Sequence, residues 1–423
     1  MLDQALSRLS RFGRWVSYRA VSAAVHQPLA LRGLAAFVQK TPRARGLLNM
    51  VASRDDVVDA FQRPSAFSNS AHRPNLVAGD FAIGMESDAR HACERAQLLR
   101  QLPSPAAFAE RASAESRRLV AALQADGARR FDLIDDYMVP IVWQALGGSF
   151  GQALPPLPPG DPMFLNLRYV GAHLIAGSSA TDAVQRRALE SAAALNAWVR
   201  AQLPALQALW GMPEVAQREA VARNVTGMLW VGHPATVQAG ALLMQELLAR
   251  PKVWRELAGR VRQSVDPWTD QPLRELLGRH VLELLRFRPP FPILRRQVPR
   301  DVLWGADGAA RARAGSEVTL MVIGALFDPK AYAEDGGGDP ARYDPDRVFA
   351  HPADRYMVFG AARRQCIAPE QVVETLVSAL TGLLQLPRLR WAQPWWRRMR
   401  YDGPIIVSAP LAFRATAGGG DGA

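Results

Sequence analysis

Phe359-Gly360-Ala361-Ala362-Arg363-Arg364-Gln365-Cys366-Ile367-Ala368 is followed by apolar residues at Val372, Val373, Leu376, Val377, Leu380, Leu383 and Leu384. That spacing is helical, so Cys366 falls at or just before a helix N-terminus. There the free amide hydrogens and the positive end of the helix dipole favour a thiolate over a thiol. Small residues ahead of it let a flat ligand approach the backbone closely. Taken alone, these features fit a buried structural cysteine and a metal ligand about equally well. The chain has only one other cysteine, Cys93, so a disulfide framework is not expected and a reducing, cytoplasmic setting suits it. Cys93 itself reads as a small buried apolar residue.

Around this segment, 423 residues with 49% hydrophobic and 21% charged content are enough for a large core. Apolar runs stop short of the roughly 18 to 20 residues that cross a bilayer, so no transmembrane segment is expected. The net charge of +12 would suit nucleic acid, anionic lipid or an acidic protein. No basic block with interleaved aromatics stands out, and nucleic acid is not an expected partner. Residues 1–50 concentrate charge: Arg8, Arg11, Arg14, Arg19, Arg32, Lys40, Arg43 and Arg45 are offset by Asp3 alone. This basic amphipathic segment reads as a helix packed by its apolar face, with a transit peptide or a membrane-surface helix as alternatives.

Helical periodicity dominates from about residue 108 to residue 290, and strand-like pieces such as 318–322 and 405–407 lie toward the ends. The expected architecture is therefore mainly α with small β-sheets. It comprises one domain over residues 51–415, preceded by the basic segment at 1–50 and followed by a disordered, glycine-rich tail at 416–423. A monomer is expected. The run Trp391-Ala392-Gln393-Pro394-Trp395-Trp396-Arg397-Arg398 and the segment from Asp402 to Ile406 read as a turn and hairpin, with the tryptophans at the surface or grazing a membrane. The stretch from Val221 to Arg250 reads as a core helix of about 45 Å. Pro234 near its middle has no amide hydrogen for the Trp230 carbonyl, which predicts a kinked or opened turn.

The cysteine segment resembles the haem-binding loop of cytochromes P-450, Phe-Gly-x-Gly-x-His/Arg-x-Cys-x-Gly, with Phe359, Gly360, Arg364 and Cys366 matching and Ala362 and Ala368 replacing two glycines. Other segments match in the family's order. Glu283-Leu284-Leu285-Arg286 is similar to its Glu-x-x-Arg helix, with Arg347 in Tyr343-Asp344-Pro345-Asp346-Arg347 as the third member of a bracing network. Arg296 matches the arginine that binds a haem propionate. His91 and Arg95 resemble the His-x-x-x-Arg element, whose i, i+4 spacing aims both at one anionic group. The resemblance implies a P-450 fold with protohaem (haem b) between the long helix and the cysteine loop. It makes Cys366 the axial iron ligand, packs Phe359 near the sulfur and turns Arg364 to a propionate.

The same resemblance aligns Val231-Gly232-His233-Pro234-Ala235-Thr236 with Ala-Gly-x-Asp/Glu-Thr. Gly232 matches and would leave room for oxygen, while Pro234 and Ala235 stand where the family keeps its acid and its alcohol. Three readings follow. Peroxide is the oxidant; or Thr236 reaches in if Pro234 unwinds the turn; or the enzyme rearranges a hydroperoxide as an isomerase or lyase. His233 reads as pointing away from the haem. The leading expectation is a monooxygenase that oxidises, by hydroxylation, an apolar small molecule, using dioxygen and electrons from a separate ferredoxin-type protein docked near Arg95, Arg363 and Arg364. A peroxygenase is the runner-up, and a non-catalytic haem-binding recruiting module the last alternative. Leu76, Val77, Phe81 and Ile83 are expected to roof the distal pocket.

Overall fold

The chain is described by a computed structural model at residues 2–41, 46, 48–68, 74–79, 88–125, 130–304, 310–334, 338–347, 357–362 and 365–414. The expected tail, Arg363, Arg364, Phe81 and Ile83 lie outside these residues.

The elements follow in chain order. Helices α1 (Leu2–Val25) and α2 (Pro28–Lys40) precede β1 (Met50–Val51), α3 (Arg54–Gln62) and the short α4 (Pro74–Val77). Then come α5 (Asp88–Gln101), α6 (Pro105–Ala125), β2 (Arg130–Asp132), α7 (Val139–Leu146), α8 (Pro162–Ala176), α9 (Asp182–Ala201), α10 (Leu203–Leu209) and the long α11 (Arg218–Leu248). After α12 (Pro251–Gln263) and α13 (Gln271–Phe287) the chain turns to β3 (Leu294–Gln297), β4 (Val302–Trp304), β5 (Ala310–Ala312) and β6 (Glu317–Leu320). It closes with α14 (Val322–Ala325), α15 (Pro329–Glu334), α16 (Pro369–Gln385), β7 (Arg390–Trp391), β8 (Arg400–Asp402), β9 (Ile405–Ser408) and β10 (Pro410–Ala412). The fold is mainly helical with small sheets, as the periodicity predicts.

Local chemistry sets the helix starts. Asp161, Thr181 and Asp270 accept from the backbone amides of Met163, Val184 and Leu273, and proline occupies the first turn of α8 and α13. Caps satisfy amides that have no partner inside the helix, and proline there forfeits no bond. Helix α16 packs along α6, where Ser113 donates to Ser378 at 2.9 Å, and Tyr137, just before α7, donates to the Ala379 carbonyl of α16 at 2.8 Å. Among the described residues four sheets accompany the helices: β1-β6-β3, with β1 parallel and β3 antiparallel to β6; β2-β10-β7; and the pairs β4-β5 and β8-β9. Helix α2 belongs to the packed body: Leu31, Ala35 and Val38 are buried with Ala52, Ile293 and Ile323.

Helix α11 runs through the core, as predicted, but the opening expected at Pro234 is absent. Its backbone remains helical from Arg218 to Leu248. The ring of Pro234 sits against Gly171 of α8, where an added Cβ would lie 2.9 Å from the proline Cβ. Close packing thus holds the proline in a helix that still lacks one internal hydrogen bond. A second correction concerns Cys93, which is exposed. Helix α5 turns His91, Glu94 and Leu98 inward, and that periodicity leaves position 93 on the outer face.

Candidate active site

The cysteine loop begins with a tight turn at Met357–Phe359. The Gly360 amide donates to the Met357 carbonyl at 2.8 Å, and the Cys366 amide donates to the Phe359 carbonyl at 2.8 Å. Gly360 has φ 79° and Ala362 has φ 51°. Ala362 therefore keeps the left-handed backbone that glycine adopts freely, at a cost of about 1 kcal/mol. Ala368, with φ −132°, caps α16 and needs no such freedom. Cys366 precedes that cap by two residues, at the helix N-terminus. Burial pushes its thiol up, while the amide of Ala368, the guanidinium of Arg95 and the amide of Ile367 pull the other way. The Ala368 amide donates to Sγ at 3.4 Å. In an apolar setting such a sulfur ionises readily only against a nearby cation.

Cys366 opens onto a cavity of about 250 Å3. Val358, Phe359, Gly360, Gln365, Ile367 and Ala368 form the wall around the sulfur, and Met228, Val231, Gly232, Ala235, Thr236 and Ala239 of α11 form another. Leu102, Phe108, Val142, Leu146, Leu174 and Phe291 contribute further apolar surface. No Asp or Glu is among the described residues lining it. The Thr236 hydroxyl donates to the Gly232 carbonyl at 2.8 Å, so it stands on the cavity wall without any unwinding of α11. Gly232 lines the cavity too, and a Cβ there would lie 3.0 Å from Cδ2 of Leu146, so its smallness also lets α7 approach.

The neighbouring α11 positions turn elsewhere. Pro234 does not line this cavity; it packs toward Gly171, Ile175, Gln238 and Ile405. His233 is buried, stacked on Phe164 at 5.4 Å between ring centres and edge-on to Trp143 at 6.2 Å. Burial lowers its pKa to about 4, with the Val139 carbonyl opposing and Arg168 assisting. It is a neutral core residue.

Of the basic candidates, Arg296 on β3 lines the cavity, donates to the Arg295 carbonyl at 2.8 Å and lies over the ring of Phe61. Arg95 donates to the carbonyls of Gln365 at 3.0 Å and Cys366 at 3.4 Å. Its guanidinium thus grips the cysteine loop instead of offering a free docking charge. His91 is buried on the inner face of α5 and is not among the described residues that line the cavity. Glu283, Arg286 and Arg347 come together: Arg286 bonds Glu283 through two nitrogens at 2.7 and 2.8 Å, and Arg347 lies 3.9 Å from the same carboxylate. Arg286 also donates to the Pro340 carbonyl at 2.8 Å, and Glu283 accepts from the Asp344 amide at 2.9 Å. The network pins the segment that leads toward the cysteine loop.

Leu76 and Val77, expected over the pocket, are instead buried core residues away from the cavity lining; the Leu76 carbonyl accepts from Asn196 of α9 at 3.1 Å. The residues that do wall the cavity from α7 and α8 carry no sequence signal that separates them from ordinary core. Equally unannounced is a buried polar cluster in which Glu94 of α5 is held by Arg223 and Asn224 of α11. Only the i, i+3 inward phase of α5 hinted at it.

Among the described residues, no three His, Cys, Asp or Glu side chains converge to hold a metal ion. A lone thiolate secures a metal when the remaining ligands arrive with it, as they do in haem. An apolar cavity with a sulfur on one wall and Arg296 at its lining suits a flat apolar ring with anionic substituents, so the residues present fit haem.

Comparisons with known proteins agree. The sequence model of the family described as Cytochrome P450 matches residues 201–367. Cytochrome P450 4d2 of Drosophila melanogaster is 26% identical over 174 residues, 40% of this chain and 34% of that protein. Pentalenene oxygenase of Streptomyces avermitilis is 28% identical over 120 residues, 26% of each chain. The matched stretches thus span about a third or less of these curated relatives. A mutant of P450 EryK in complex with erythromycin B superposes with a TM-score of 0.69 at 20% identity, covering 94% of this chain and 98% of that one. P450BioI, with an acyl carrier protein carrying hexadec-9Z-enoic acid, gives 0.68 at 16% identity, covering 93% and 100%. With the ordered sequence motifs and the single-cysteine cavity, these matches show the cytochrome P450 fold and a sequence likeness to the Cytochrome P450 family over residues 201–367.

Proposed function

We propose that this protein is a haem-thiolate oxidoreductase that oxidises an apolar small organic molecule, with Cys366 as the axial iron ligand. The observation that carries the reading is one apolar cavity that receives both the Cys366 sulfur and the Thr236 hydroxyl. Bound through a thiolate, haem supplies the oxidising chemistry at the iron. The chain's own groups do the rest. The amides at the start of α16 stabilise the sulfur, Arg95 holds the loop carbonyls, and Arg296 and His91 are assigned to the anionic edge of the ring. The Glu283–Arg286–Arg347 network braces the approach to the loop. Residues 51–415 are taken as the haem domain, with α2 packed onto it.

A dioxygen-driven monooxygenase with an external electron donor is favoured by Thr236, whose hydroxyl can pass a proton along the α11 wall. Peroxide-driven turnover is the second reading, favoured by the absence of a carboxylate among the described lining residues and by the burial of Pro234 against α8. No single helix among the described residues is long and apolar enough to cross a membrane. The identity of the substrate does not follow from the fold: EryK is seen with erythromycin B and P450BioI with a fatty acyl chain on its carrier.

The reduced, carbon monoxide-bound absorption spectrum tests the ligand. The wild-type protein is expected to show the thiolate-type Soret band and Cys366→Ser to lose it; a band unchanged in the variant overturns the assignment.

A further inference from the structure

We propose that the loop carrying Trp395 and Trp396 is a docking surface for an anionic phospholipid bilayer. The two indoles lie in a tight turn, Trp395–Arg397, closed by the Arg397 amide donating to the Pro394 carbonyl at 2.9 Å. They are 74% and 64% exposed, the most exposed tryptophans among the described residues, and pack edge to face at 5.7 Å. Large aromatic rings left in water on a rigid turn are atypical of a surface that meets only solvent.

The turn is held in place from both sides. Strand β7 pairs with β10, the Ala392 amide donates to the Pro410 carbonyl at 3.0 Å, and Met399 is buried where the chain enters β8. The exposed Arg388, Arg390, Arg397, Arg398 and Arg400 flank the two tryptophans along the chain, with no acidic residue from 386 to 401. Some surface arginines elsewhere are neutralised, as Arg117 is by Asp266 and Arg118 by Glu115, and others such as Arg218, Arg262 and Arg313 are scattered singly; here five gather along residues 388–400. Among the described residues these five have no acidic partner. Arg388 even occupies a left-handed φ of 53°, where glycine is the unstrained choice.

Indoles settle at the headgroup level of a bilayer, and guanidinium groups beside them meet lipid phosphates. A perpendicular pair of rings does not offer the parallel faces on which successive bases stack. Two rings at a turn also bury far less than the roughly 1,200 Å2 of a specific protein interface. The neighbourhood continues the same chemistry. His26, just after α1, lies 3.7 Å from the ring of Tyr401 in a tilted arrangement and bonds the Gly403 carbonyl at 2.9 Å, and α1 exposes Trp15, Val16 and Arg19.

The test is co-sedimentation of the full chain with vesicles of phosphatidylcholine alone or with about a third phosphatidylglycerol. The wild-type chain is expected to bind the anionic vesicles, in a salt-sensitive manner, and not the neutral ones. The double variant Trp395→Ser/Trp396→Ser should bind about tenfold more weakly and Arg397→Gln/Arg398→Gln severalfold more weakly, with unchanged thermal unfolding because these side chains are in water. The proposal is overturned if wild-type protein ignores anionic vesicles or the double tryptophan variant binds as well. It is equally overturned if Trp15→Ser alone abolishes binding, or if double-stranded DNA competes fully and the tryptophan pair has no effect on its binding.

Discussion

The wall of the cavity that carries Cys366 and the wall formed by α11 have diverged in opposite ways. On the cysteine side two glycines of the family pattern are alanines: Ala362 takes the left-handed φ of 51°, and Ala368 sits where no left-handed backbone is called for. On the α11 side the helix is intact while its functional groups have changed. Pro234 packs against Gly171, His233 is buried among aromatics, and Thr236 is the hydroxyl residue of α11 among the described residues that line the cavity, with Thr375 of α16 lining it from elsewhere. A left-handed backbone position marks one wall, and an unbroken helix the other. A ligand loop must place one atom, whereas a proton path can be rebuilt from a different residue one position along.

The comparison breaks most readily at the bracing network. Arg286→Met leaves Glu283 buried without its main partner and should cost about 3–5 kcal/mol in urea unfolding; a smaller loss would show that the cysteine side does not depend on this brace. On the α11 side, Thr236→Ala is expected to lower dioxygen-supported turnover about a hundredfold while leaving peroxide-supported turnover within about twofold. Equal losses with both oxidants would remove Thr236 from proton delivery.

His233 gives α11 a pH signature. Its folded pKa of about 4 lies below the unfolded value of 6.5, so its stabilising effect is complete above that value and is lost as pH falls toward 4. Between pH 7 and pH 5 the wild-type protein should lose about 2 kcal/mol more than His233→Phe in denaturant titrations. Parallel losses would mean that His233 is charged or hydrated in the core. The smallest effect is expected at the loop: Ala362→Gly relieves the left-handed strain but loosens the unfolded chain, for a net gain of at most about 1 kcal/mol. A destabilised glycine variant would show that the alanine methyl group packs usefully.

Much of the fold was legible beforehand because its signals are local. Helical periodicity located α11 and α16, and the motif series pointed to Arg296 and Cys366, which line one cavity, and to Glu283, Arg286 and Arg347, which meet in a network outside it. The expected break at Pro234 failed because propensity knows nothing of Gly171, more than sixty positions away, whose missing side chain makes room for the ring. Cys93 was misplaced because its helix phase depends on which face meets the core. Leu76 and Val77 were apolar as read, and only packing decided that they support α9 instead of the cavity.

The sequence alone determined that a cysteine stands at a helix start, within a P-450-like series of motifs and an α-rich chain, since each of these is written in residues close to one another. The tertiary structure decided that Thr236 lines the cavity, what became of the proline, and that two indoles stand exposed beside arginines with no acidic partner among the described residues. Those outcomes depend on the rotation of a helix about its axis and on contacts between distant segments, and neither is fixed by local residue order.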